Sequence, residues 1–227
     1  MLVVFFRHGK TTWNVERRVM GQTDIPLSVE GKKEVRESSS YLKSLDIRYI
    51  YSSDLLRALE TTNILLQELN LSKEILEVTT DLRERNLGSL SGSKYLGKRK
   101  EDGKTYLTYN KDGTVFKFLV EDFDEFVKNN AGESKADYLN RTKAFLKKLD
   151  AKSESLDEDR TILVVTHGGF IRGFLSLTTD FTLEETYDKL TIPTCTRVVY
   201  QAEKGIWTLL GIEEPGSNTR ELLWKKN

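Results

Sequence analysis

The sequence contains two histidines, His8 and His167, and each ends a short apolar run and is followed by glycine. The first run, Leu2-Val3-Val4-Phe5-Phe6, stops on Arg7-His8-Gly9; the second, Thr161-Ile162-Leu163-Val164-Val165-Thr166, stops on His167-Gly168-Gly169. Unbroken aliphatic and aromatic runs of this length suit a strand buried on both faces of a parallel sheet. In open α/β sheets ligands bind at the carboxyl ends of such strands, so both imidazoles are expected at a functional edge.

Arg7, Asn14, Arg57 and Glu84 follow other expected strands or lie in loops at the same edge. Two arginines, two histidines and an amide around one point make an anion pocket, because guanidinium binds phosphate oxygens in a planar, bidentate way. A neutral imidazole there can attack phosphorus, and nearby positive charge keeps it neutral by lowering its pKa. His8 is the expected nucleophile. Arg7, Arg57 and His167 would stabilise charge on the equatorial oxygens, and Glu84 would protonate a leaving alkoxide.

Each of these residues also has a plainer use. Arg57 falls in the first turn of a helix, where a cation opposes the dipole and would ordinarily be solvated. Glu84 sits in the charge run Arg83-Glu84-Arg85, and Asn14 could cap the segment after it. Two histidines with carboxylates could ligate zinc. The basic cluster Lys94, Lys98, Arg99 and Lys100 is expected to form a solvated helix face rather than a second phosphate site, and Cys195 to be a small buried residue beside a strand.

The elements that must position these groups follow from periodicity. Residues 10–26 read as a long surface loop, and such loops in compact domains usually carry function. Ser28 should cap a helix with Val29, Val35, Tyr41, Leu42 and Leu45 on its apolar stripe. A strand over Arg48–Tyr51, a helix over Leu55–Leu69 and a strand over Ile75–Val78 come next. Residues 89–132 change character and read as an insertion, with a hairpin turn at Asn110-Lys111-Asp112-Gly113 between Tyr106–Tyr109 and Val115–Phe118. A helix over Glu133–Lys148, a charged connector over Asp150–Arg160 and a helix from Phe170 complete the central part. Two late strands, Thr196–Gln201 and Ile206–Leu210, flank a turn at Glu203-Lys204-Gly205, and a polar tail starts at Glu213. Strands alternating with helices predict an α/β fold: a three-layer sandwich whose mainly parallel central sheet is flanked by helices, with the insertion capping its C-terminal edge. One domain over residues 1–227 is expected.

At 227 residues the chain is long enough to bury roughly 70% of its unfolded surface. Lys plus Arg equals Asp plus Glu at 35 each, which argues against a coat for nucleic acid or an anionic membrane. A single cysteine excludes an internal disulfide and a thiolate metal cluster. Arg7 interrupts the first apolar run, and no run approaches the roughly 20 residues that span a bilayer. A cytoplasmic protein acting on a small molecule, as monomer or homodimer, is expected.

Arg7-His8-Gly9 with Asn14, Ser52-Ser53-Asp54-Leu55-Leu56-Arg57, Leu82 to Gly88, and Thr166-His167-Gly168-Gly169 resemble, in order and spacing, the four signature segments of the histidine phosphatase superfamily in its phosphoglycerate mutase-like branch. The resemblance implies a phosphohistidine on His8 and a phosphate pocket of Arg7, Asn14, Arg57 and His167, with the Gly168 amide nearby. It implies Glu84 as proton donor and then base for water, and no metal or organic cofactor. The chain departs from the family pattern in places. Lys10 stands where Glu is usual. Met20 replaces a polar residue, leaving the Gly21 amide, with Gln22 as a substitute contact. No adjacent arginine pair occurs between Ser89 and Gly132, and Asn86-Leu87 follow the Glu-Arg. These departures favour a broad-specificity or fructose-2,6-bisphosphatase-like phosphatase over a mutase, with a catalytically silent phospho-ligand binding module as a further alternative.

Overall fold

The computed structural model describes residues 1–98, 105–109, 115–119, 123–155 and 159–216. Its main sheet is built on strand β1 (Leu2–Arg7), in which Val3, Val4, Phe5 and Phe6 are all buried, alternate residues serving opposite faces. β1 pairs in parallel with β7 (Thr161–Thr166), β7 with β2 (Ile47–Ser53), and β2 with β3 (Leu76–Thr79). Beyond β1 come two antiparallel strands, β8 (Arg197–Glu203) and β9 (Ile206–Glu213), giving the order β3-β2-β7-β1-β8-β9. The β8–β9 turn lies at Lys204 and Gly205, whose φ angles of 48° and 77° suit a two-residue hairpin.

Helices cover both faces, as expected. Val4, Phe6, Leu163 and Val165 pack against Val35 of α2 (Val29–Ser39) and Ala58 and Leu65 of α3 (Leu56–Glu68). On the other face Val3, Phe5 and Val164 meet Phe145 and Leu149 of α5 (Lys135–Glu154) and Phe170 and Phe174 of α6 (Gly168–Thr178). Phe5 and Phe174 lie 4.3 Å apart by ring centroid. Each such side chain, fully buried, contributes roughly 1.5–3 kcal/mol. The strands therefore form a rigid slab whose carboxyl edge holds the loops.

Several expectations need correction. Ser28 does cap α2, its side chain accepting from the Gly31 amide, but Val29 is 81% exposed and lies off the buried stripe. α5 starts after its cap Ser134 and runs to Glu154, taking in the first part of the expected connector. Its stretch from Lys147 to Glu154 has no breaker, so charge did not end the helix. The loop after β1 contains one helical turn, α1 (Thr12–Val15). Two short helices, α4 (Phe123–Asn129) and α7 (Leu183–Lys189), had no expectation. Glu213 ends β9, where it pairs with Arg197, and is not the start of the tail.

The insertion carries a separate antiparallel sheet of β4 (Lys94–Lys98), β5 (Thr105–Tyr109) and β6 (Val115–Leu119). Lys94 and Lys98 thus lie on a strand and not on a helix face; Tyr95 and Gly97 between them disfavour a helix. Arg99, Lys100 and the turn residues Asn110-Lys111-Asp112-Gly113 lie outside the described residues. The insertion is tied to the loop after β1, where Val19 donates to the Ser93 carbonyl and Gly92 to that of Val19, at 2.9 and 2.8 Å.

Candidate active site

Register brings the two histidines together. Arg7 pairs with Thr166 across β1 and β7, so the next residue on each strand leaves the sheet at the same level. Neighbouring strands stand about 4.8 Å apart; the His8 and His167 ring centroids lie 5.1 Å apart with planes at 56°. His8 Nδ1 is 2.7 Å from the Gly9 carbonyl and donates to it, which leaves Nε2 with the free lone pair. His167 Nδ1 accepts from Arg57 Nε at 3.2 Å, and its Nε2 faces Ser53 Oγ at 2.8 Å. Arg57 can only donate, so Nδ1 must offer its lone pair and the neutral His167 ring carries its proton on Nε2.

Both imidazoles are buried, and both pKa values lie well below the usual histidine range. Loss of water is the largest cause and Arg57 the next; Arg7 adds to it at both rings. Each ring is therefore neutral at neutral pH, as an attacking imidazole must be.

The two arginines are held in contrasting ways. Arg57, fully buried, gives Nη2 to the Gly21 carbonyl at 2.8 Å and Nη1 to that of Thr23 at 2.9 Å. Burial pushes its pKa down to about 10, with Glu84 opposing the shift. Arg7 donates Nη1 to the Ile192 carbonyl, while its buried Nε has no acceptor among the described residues. A Cβ on Gly168 would stand 3.3 Å from that Nε. Gly168 opens α6, whose N-cap, His167, gives no side-chain cap. A buried guanidinium against the positive end of a helix is unfavourable unless an anion joins them.

Glu84 closes the ring. One carboxylate oxygen accepts from the Gly169 amide at 2.9 Å and the other from the Arg85 amide at 2.8 Å. A Cβ on Gly169 would come within 1.9 Å of Oε1, so glycine is required for the carboxylate to reach the helix end. Among the described residues, no three His, Cys, Asp or Glu side chains converge as a metal site would need.

A family model for the histidine phosphatase superfamily (branch 1) matches residues 3–215. The chain belongs to this superfamily. It is 30% identical to a 2,3-bisphosphoglycerate-dependent phosphoglycerate mutase of Methanococcus vannielii, over 94% of this chain and 96% of that protein. It is 34% identical to phosphoglycerate mutase-like protein 4 of Arabidopsis thaliana, over 75% of this chain and 67% of that one. Among solved structures, a mycobacterial glucosyl-3-phosphoglycerate phosphatase aligns over 92% of this chain and 96% of its own, with a TM-score of 0.65 and 24% identity. A likeness at that identity speaks for the fold alone.

Within this histidine phosphatase superfamily chain the remaining expected residues fall as follows. Asn14 is the third residue of the capping box of α1: its Oδ1 accepts from the Thr11 amide and hydroxyl, both at 3.0 Å. Gly21 gives its carbonyl to Arg57 Nη2. Met20 Sδ lies 3.3 Å from the Thr11 hydroxyl, and Gln22 Nε2 donates to the Glu84 carbonyl at 3.0 Å. Lys10 is held by its backbone, its amide donating to Glu34 at 3.3 Å. Cys195 is buried beside β1, as expected, and its amide donates to the Arg7 carbonyl.

Three site residues had no role assigned from sequence. Ser53 holds His167; its place at the end of β2, level with the histidines, was the available signal. Asp24 accepts from the Leu56 amide at 2.6 Å and so caps α3 from the long loop, where Leu55 offers no side-chain oxygen. Gly169 was visible only as the second glycine of a pair.

Proposed function

We propose that the chain is a phosphomonoesterase that passes a phosphoryl group from a small phosphorylated metabolite to His8 and then to water. The observation that carries this reading is the buried Arg7 Nε, which has no acceptor among the described residues and stands beside the α6 N-terminus that lacks a side-chain cap, in a site with two neutral imidazoles. A phosphoryl group supplies the missing acceptor. In the first step His8 Nε2 bonds to phosphorus as the ester P–O bond breaks, and Glu84 gives a proton to the leaving oxygen. In the second, Glu84 takes a proton from water, the new O–P bond forms, the N–P bond breaks and phosphate leaves. Arg7 and Arg57 hold the equatorial oxygens, with the Asn14 amide beside them. His167 would turn its Nε2–H from Ser53 to the phosphoryl group. Preorganised donors of this kind supply most of the rate in phosphoryl transfer.

The absence of an adjacent arginine pair between Ser89 and Gly132 favours hydrolysis over mutase action. A sugar bisphosphate or a phosphoglycerate is the substrate class we favour, because the Ser52-Ser53-Asp54-Leu55 and Leu82-Arg83-Glu84-Arg85 segments resemble those of fructose-2,6-bisphosphatase-like and broad-specificity phosphatases. Mutase activity is the second reading, supported by the names of the two sequence relatives. The test is labelling by a 32P-phosphate ester: an acid-labile, alkali-stable label at His8 with steady phosphate release is expected. Undiminished hydrolysis by H8A would defeat the proposal. Interconversion of 3- and 2-phosphoglycerate faster than phosphate release would establish the mutase instead.

A further inference from the structure

Glu84 stands in a stretch, Arg83 to Leu87, with no helix or strand to hold its backbone. Backbone polar groups in such a stretch need other partners, and one side chain supplies many of them. Arg141, on α5, donates Nη1 to the Asp81 carbonyl at 2.6 Å and to that of Arg83 at 2.9 Å, and its Nη2 reaches the Glu84 carbonyl at 3.5 Å. The guanidinium is itself held by Glu133 through two parallel bonds, Nε to Oε1 at 2.9 Å and Nη2 to Oε2 at 2.8 Å. Glu133 also closes on the far side of Glu84, its Oε2 accepting from the Asn86 amide at 3.2 Å and its amide donating to the Asn86 carbonyl at 2.8 Å. The Arg141–Glu133 pair thus grips the chain on both sides of the carboxylate. One turn from Arg141 on the same helix, the Tyr138 hydroxyl donates to the carbonyl of Gly169, whose amide holds the carboxylate.

We propose that Arg141 is a positioning residue for Glu84: braced by Glu133, it fixes the carboxylate at the distance proton transfer requires. This rests on Glu84 being the acid and base of the reaction proposed above. Arginine suits the task because its planar fork serves carbonyls and a carboxylate together, which a lysine ammonium cannot do at once.

The test uses the leaving group as a ruler. p-Nitrophenoxide leaves without a proton, whereas butoxide needs one, so kcat/KM for p-nitrophenyl phosphate and butyl phosphate separates proton donation from phosphoryl transfer. E84Q should raise the aryl-to-alkyl ratio, and R141Q should raise it in the same direction, by about tenfold or more. R141K should fall between R141Q and the unmutated chain. The E84Q/R141Q double variant should show the ratio of E84Q alone, since the second loss acts through the first. Equal loss on both substrates, or a further loss in the double variant, would make Arg141 merely structural and overturn the proposal. If R141Q does not fold, R141K and E133Q decide by the same ratio. Labelling of His8 by p-nitrophenyl phosphate separates the two levels: no label in the unmutated chain defeats the reaction itself, whereas a label with an unmoved ratio defeats only the role of Arg141.

Discussion

Gly169 has no side chain, and the Glu84 carboxylate fills the space one would need, with Oε1 1.9 Å and Cδ 2.8 Å from where a Cβ would stand. Because the contact falls on an exchangeable side chain and not on backbone, Gly169→Ala can fold by moving Glu84 away. Alanine is also the better helix former, by roughly 1 kcal/mol in a helix interior. G169A is therefore expected to keep or slightly raise its melting temperature while losing hydrolysis of alkyl phosphates by about 10²-fold or more, the usual worth of a general acid. Calorimetry and phosphate release on the same preparation check both halves. Ser53→Ala makes the opposite trade. It leaves the buried His167 Nε2–H without its partner, so a stability loss of about 1–3 kcal/mol is expected in urea titrations. Part of that loss should return on adding phosphate, which offers the same proton another acceptor.

The site depends on how whole elements are terminated. α3 begins without a side-chain cap of its own, and the long loop lends it Asp24 next to the two carbonyls that hold Arg57. Removing that oxygen should cost about 1 kcal/mol and loosen the Arg57 anchor, so D24A is expected to lower stability and raise the phosphate dissociation constant together. D24N, which keeps an oxygen acceptor, should recover most of both in denaturation and binding titrations. The same feature explains what could be read from the sequence. β1 and β7 were legible because five and four apolar residues in a row, Leu2–Phe6 and Ile162–Val165, run within two residues into a charged or imidazole group, and the register of the two strands places both histidines at one level. Caps lent across 32 residues, such as Asp24 to Leu56, leave no local pattern. Nor does the hold of Ser53 on His167, 114 residues away. α7 escaped because seven residues are too few for a helical period to stand out, although its capping box, Thr182 with Glu185, was there to be found. Lys94 to Lys98 was misplaced for the converse reason: lysines four apart mimic a helix face when the residues between them are ignored.

For the molecule as a whole, two buried neutral imidazoles set a pH dependence of stability. Both pKa values are lowered in the folded state, so below the unfolded value of about 6.5 the unfolded chain binds two protons that the folded chain refuses. Stability is then fully present above that pH and falls as the pH drops towards the folded values, with a limiting slope of about 2.7 kcal/mol per pH unit for two protons. Asp46, Asp54 and Glu77, whose pKa values are also lowered, add their own losses only beneath their unfolded values of 3.8 and 4.5. The window between about pH 6.5 and 4.5 therefore belongs to His8 and His167. An anion seated between Arg7 and Arg57 favours the imidazolium form and should raise both values, so phosphate is expected to flatten this slope and to stabilise more strongly at pH 5.5 than at pH 7.5. Urea titrations across that range, with and without phosphate, read both effects. The H8N/H167N double variant should lose the slope and its phosphate dependence together; a slope that persists there would mean that the two histidines are not the groups refusing protons.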